Sequence, residues 1–97
     1  MDINFNKNGG ELTVAIDGRL DTITAPELES FLLKNYEGAS VLIFDCEKLM
    51  YVSSAGLRVL LTAHKRMKGA MKLINVSELV MEVFEMTGFA DIWEIER

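Results

Sequence analysis

Apolar and polar residues alternate at the start of the chain, and the period then lengthens. Ile3 and Phe5 alternate with polar neighbours over residues 2–6, and Leu12, Val14 and Ile16 do the same further on. Asn8, Gly9 and Gly10 between them supply a turn, so the pattern predicts an antiparallel hairpin that closes at Asp17 and Gly18. From Thr24 the spacing becomes helical, with Leu28, Phe31 and Leu32 recurring on one side and Gly38 at the exit. The Thr24 hydroxyl and Glu27 form a candidate capping box, and Pro26 falls in the first turn, where an N–H is dispensable. Val41 to Phe44 is an unbroken apolar run, which predicts a strand covered on both faces. A second helix follows over about Ser54 to Lys68, turning Leu57, Leu60, Leu61 and His64 to one side and ending at Gly69. Met71 to Val76 predicts another strand with Leu73 and Ile74 inside. Ser77 then caps a third helix carrying Val80, Val83 and Phe84, which Gly88 closes, and Ile92, Trp93 and Ile95 predict a short last strand. Strands alternating with helices after a hairpin make an α/β layered domain. Its sheet is mostly parallel, and the helices pack on it.

Composition narrows the class. Ninety-seven residues form one domain, 1–97, of which roughly 60–68% of the unfolded surface is buried on folding. The apolar share of 49% and charged share of 26% describe a folded chain, not a disordered one. A net charge of −5 argues against direct nucleic-acid binding, which draws on clustered cations. Cys46 is the only cysteine, so neither an internal disulfide nor a thiolate zinc site is available. No apolar run reaches the ~18 residues that span a bilayer, and no secretion signal opens the chain, so the expectation is a cytoplasmic protein without membrane insertion.

The chemistry gathers around the second helix start. Ser53 and Ser54 stand directly before Ala55 and Gly56, where unpaired backbone N–H groups and the helix dipole favour an anion. A serine here can be a plain N-cap, or it can carry a phosphate with about −1.5 to −2 charges. With Ser54 read as the cap, position 57 is Leu, so no capping-box carboxylate competes, and Gly56 keeps the approach to the backbone open. Asp45 ends the apolar run and Asp21 ends the loop before the first helix, and in parallel sheets such positions converge on one edge. Singly, each also reads as a turn residue. Together they read as a binding surface whose charge a phosphate would change.

The stretch Asp45 to Leu61, with the GRLD of Gly18 to Asp21 and the following Thr24-Ala25, resembles a STAS domain, and more narrowly the bacterial anti-sigma factor antagonists. The closing VFEMTGFADIWEI, Val83 to Ile95, is similar to the end of that family, so the resemblance covers nearly the whole chain. It implies a STAS-type fold and a binding module switched by phosphorylation. The unmodified form would bind an anti-sigma factor that is also a serine kinase, freeing the sigma factor, and a serine phosphatase would reset the modified form. Aligning the family's Gly-Leu with Gly56-Leu57 places the phosphate on Ser54, with Ser53 as the alternative acceptor. The switch surface comprises Asp21, Thr24, Asp45, Ser53, Ser54, Ala55, Gly56 and Arg58. Two positions depart from the pattern. Ser53 stands where well-known members have Asp, and Arg58 stands where they often have Gly, one helical turn after Ser54.

Other functions are weaker on these residues. His64 lies ten residues beyond Ser54, hence roughly 15 Å along the helix, out of reach as a general base. No G-x-S-x-G elbow and no His or Cys cluster with ligand spacing occurs, so no catalytic residue, cofactor or metal ligand is assigned. Lys65, Arg66 and Lys68 read as a solvated helix end suited to the dipole, and Met81 and Met86 as core or core-edge packing. Two further readings keep the fold: a subunit of a lipid or anion transport assembly with a structural serine, and a nucleotide or lipid sensor binding at the same helix start.

Overall fold

The opening alternation forms a long hairpin, β1 (Asp2–Asn8) against β2 (Glu11–Leu20), in the computed structural model, which describes all residues Met1–Arg97. Then follow α1 (Ala25–Asn35), β3 (Val41–Asp45), β4 (Leu49–Val52), α2 (Ser54–Arg66), β5 (Met71–Ile74), α3 (Glu78–Thr87), a 3₁₀ turn over Phe89–Asp91, and β6 (Glu94–Ile95). The sheet runs β1-β2-β3-β5-β6, parallel beyond the hairpin, and β4 pairs separately with β2.

One sheet face carries the core. Leu12, Val14 and Ile16 of β2, Leu42 and Phe44 of β3, and Met71 and Leu73 of β5 are buried with apolar residues from all three helices in one cluster. The alternate residues Thr13, Ala15, Ile43, Asp45, Lys72 and Ile74 are only half-buried, and Val41 is exposed. The apolar run is therefore not covered on both faces, and Ile74 is not fully inside. The helices all lie over one side, so period-2 burial persists beneath a sequence that does not alternate.

The helices depart from expectation in three places, two at their ends and one on a buried face. Thr24 makes no capping bond to α1, and no capping box with Glu27 forms, because its hydroxyl is engaged by the preceding loop. The N-cap of α2 is Ser53, not Ser54. The buried stripe of α2 is Gly56, Leu57, Val59, Leu60 and Ala63, whereas Leu61 and His64 are only half-buried at its margin. The C-terminal third follows its caps closely. Ser77 accepts a bond from Val80 N–H at 3.2 Å, and Gly88 ends α3 in the left-handed region at φ 83°. Trp93, stacked on Phe89 and edge-on to Phe84, seals that end.

Candidate functional site

Residues Leu49 to Val52 form a short strand that places α2. β3 pairs with Glu11–Ala15 of β2, and β4 takes up the same strand at Gly18–Leu20, with a shift in register between Gly18 and Arg19 inside that pairing. Ser53 N–H donates to the Leu20 carbonyl at 2.9 Å, so the start of α2 is tied directly to the end of β2. Ser53 is extended, with φ −92° and ψ 175°, and its hydroxyl accepts from Gly56 N–H at 3.4 Å while its carbonyl accepts from Leu57 N–H at 2.9 Å. Ser54 is thus the first residue within the helix. Its side chain is exposed and makes no hydrogen bond to the protein. With the cap at 53, the position of a capping-box carboxylate is Gly56, so no acidic side chain occupies the helix start.

Gly56 does not hold an approach open. It is buried, and a Cβ there would lie 2.7 Å from Leu20 Cγ and 2.8 Å from the Leu20 carbonyl oxygen. Its role is close packing of α2 on the end of β2.

Asp21 organises the loop before α1. Its Oδ1 accepts from the N–H groups of Ile23 at 3.0 Å and Thr24 at 3.1 Å. The Thr24 hydroxyl accepts from Asp21 N–H at 2.8 Å and donates to the Arg19 carbonyl at 2.7 Å. The bond from Thr24 N–H is the main reason the Asp21 carboxyl is held below the usual carboxylate range. Partial desolvation opposes it, while Ile23 N–H, the Thr24 hydroxyl and the Arg19 guanidinium act with it. Arg19 Nε lies 3.7 Å from Asp21 Oδ2, and the same guanidinium stacks on Tyr51 at 4.3 Å from the ring centroid. This Arg19–Tyr51 pairing was invisible without β4.

Thr22, Ala25, Pro26 and Glu29 of the α1 side face Ala55, Arg58, Val59 and Thr62 of α2 across a hollow of about 300 Å³. Arg58 and Ala55 are therefore brought beside the Asp21 loop. Asp45 is not. It stands opposite Ala15, five residues before Leu20 on β2, which places it on the order of 16 Å from the Ser53 anchor along the strand. Its Oδ1 accepts from Asn75 Nδ2 and Glu47 N–H, both at 3.1 Å, and it lines a separate hollow of about 200 Å³ with Asn4, Asp17 and Lys48. Asp45 ends β3 as a turn residue, whereas the chain needed a further strand to reach α2.

No cluster of three or more His, Cys, Asp or Glu side chains could hold a metal ion. No helix is long and apolar enough to cross a membrane. Cys46 is buried, and burial pushes its thiol up to about 12, with the Asp45 charge adding to the effect.

The sequence matches the STAS domain family over residues 2–97. It is 31% identical over 98 residues to the anti-sigma-B factor antagonist of Bacillus subtilis, across 98% of this chain and 90% of that protein. Its fold is similar to that of the anti-sigma factor antagonist SpoIIAA in its unphosphorylated form, with a TM-score of 0.82 and 16% identity over 97% of this chain and 87% of that one. The phosphorylated form of the Bacillus cell fate determinant SpoIIAA gives a TM-score of 0.74 at 15% identity, over 97% of this chain and 90% of that one. Helix caps, strand order and the loop that Asp21 organises thus belong to a chain that is a member of the STAS domain family.

Proposed function

We propose that this STAS domain is a phosphorylation-switched anti-sigma factor antagonist acting in the cytoplasm. Unmodified, it binds an anti-sigma factor that is also a serine kinase, and the sigma factor is released. Phosphate on Ser54 abolishes that binding, and a serine phosphatase restores it. The chain is the substrate of those enzymes and catalyses nothing itself.

The observation that carries this reading is the division of labour between two serines. Ser53 caps α2, which leaves the Ser54 hydroxyl exposed and without a partner. A hydroxyl that performs no capping can be modified without loss of a structural bond, and a phosphate at the first helical position meets free N–H groups. Asp21 and Thr24 hold the adjoining loop, Ala55 and Arg58 continue the surface along α2, and Gly56 lies beneath it, packed on Leu20. Asp45 stands apart from this surface at the end of β3, bonded to Asn75 and Glu47 N–H and beyond direct reach of Ser54. Two relatives in fold and sequence bear the name anti-sigma factor antagonist, and one of them exists in phosphorylated and unphosphorylated forms.

The partner is identified by recovering the chain with its bound proteins from its own cells. Incubation with that partner and ATP is expected to add one phosphate, lost in Ser54→Ala and kept in Ser53→Ala. Ser54→Asp is expected to weaken binding at least about tenfold, which is 1.4 kcal/mol, while Ser54→Ala binds like the wild type. Equal affinity of both variants for the partner rejects the switch. Recovery of transporter subunits instead of an ATP-binding kinase assigns the domain to a transport assembly.

A further inference from the structure

The hollow beside Arg58 continues along the helix pair. Beyond Glu29, Val59 and Thr62, which line both parts, a second hollow of about 250 Å³ is bounded by Leu33, Tyr36 and Arg66. α1 and α2 thus enclose one groove, running from the start of α2 near Ser54 to its last turn. Leu33, 63% exposed, stands on the groove as an apolar side chain without cover. The charge of this groove opposes that of the molecule. The chain is −5 overall, yet two arginines and one glutamate line the groove. The ion pairs of the protein are Arg19–Asp21 and Lys72–Glu96, so neither Arg58 nor Arg66 is neutralised within the chain. Arg66 lies over the Tyr36 ring at 4.8 Å, which orients its guanidinium beside the groove.

We infer that the α1–α2 groove seats an amphipathic helix of the anti-sigma factor that presents carboxylates to Arg58 and Arg66 and an apolar side chain to Leu33 and Val59. The inference rests on the function proposed above and specifies the partner's chemistry. Arg58 and Arg66 are eight residues apart on one helix, about 12 Å along its axis. Acidic residues about two turns apart on a partner helix match that spacing, and Arg pairs with carboxylates in planar, directed geometry. The arrangement also connects the groove to the switch. Arg58 is one turn beyond Ser54, within i,i+4 reach, so a phosphate on Ser54 competes with the partner's carboxylate for the same guanidinium.

The test measures affinity for the anti-sigma factor recovered with the chain, across a range of salt concentrations. Arg58→Gln/Arg66→Gln is expected to bind roughly tenfold more weakly than wild type and to show a shallower salt dependence. Leu33→Asp is expected to weaken binding as well, whereas Lys48→Gln, outside the groove, leaves it unchanged. Arg58→Gln alone, which disturbs no stacking contact, keeps the test independent of any effect of Arg66 on stability. Ser54→Asp is expected to weaken binding less in the Arg58→Gln background than in wild type, the mark of two groups sharing one partner. If the wild type binds and Ser54→Asp reduces binding, but the arginine and Leu33 variants behave as wild type, the groove is not the seat and the switch stands. A wild type that fails to bind overturns both.

Discussion

The α-carbon of Gly56 faces Leu20 so closely that no side chain fits between them: an added Cβ would be 2.7 Å from Leu20 Cγ and 2.8 Å from its carbonyl oxygen. The same carbonyl accepts the Ser53 N–H at 2.9 Å. One peptide group of β2 therefore sets both where α2 begins and how near it lies. Backbone contacts to Leu20 place the serine pair, and of the two side chains only that of Ser53 adds a bond, to Gly56 N–H.

Gly56→Ala is expected to destabilise the fold by ~1–3 kcal/mol, although Ala is the better helix former by ~1 kcal/mol. Part of the overlap is with backbone, which cannot rotate away. A urea midpoint equal to or above that of the wild type contradicts this.

The two serines should separate in stability. Ser53→Ala removes the α2 cap and is expected to cost ~0.5–1 kcal/mol, at the low end for a cap because its bond is long at 3.4 Å. Ser54→Ala removes an exposed hydroxyl with no partner and should stay within ~0.5 kcal/mol of wild type. Thermal melts of the two variants measure the contrast, and a larger loss for Ser54→Ala means that the cap lies at 54.

Neighbours on β3 should differ because they face opposite sides of the sheet. Phe44 is 0% exposed, and Phe44→Ala is expected to cost ~3–5 kcal/mol. Ile43 lies on the half-open face, and Ile43→Ala should cost less than ~2 kcal/mol. Similar denaturation midpoints for the two variants indicate that both faces are covered.

Cys46 should be inert to thiol reagents in the native state near pH 8 and react fully once unfolded, since its thiol is buried and pushed up to about 12. The folded protein keeps the proton that the unfolded thiol loses above its ordinary value of 9.0, so this group destabilises the fold as pH rises from there toward 12. Titration with a chromogenic disulfide at pH 8, with and without urea, checks the first point. Rapid labelling of the native chain indicates that the end of β3 is open.

What the chain determines by itself is mostly local. Alternation at Leu12, Val14 and Ile16 specifies a strand, Ser77 and Gly88 bound α3, and the turn at Asn8–Gly10 sets the hairpin, because each depends on neighbouring dihedrals and periodicity. The GRLD segment with Thr24-Ala25, the stretch Asp45 to Leu61 and the closing Val83 to Ile95 carried the family likeness in the sequence alone. Tertiary structure decided the remainder. Val41 to Phe44 reads the same whether one face or two are covered, and only the placement of the helices leaves Ile43 half-open. Leu49 to Val52 is too short to declare itself, since its stability comes from pairing with Gly18–Leu20, some thirty residues earlier. That pairing moved the cap to Ser53, turned Gly56 into a packing contact and separated Asp45 from Ser54. Non-local hydrogen bonds choose a register that no local pattern encodes, and the surface around Ser54 depends on that register.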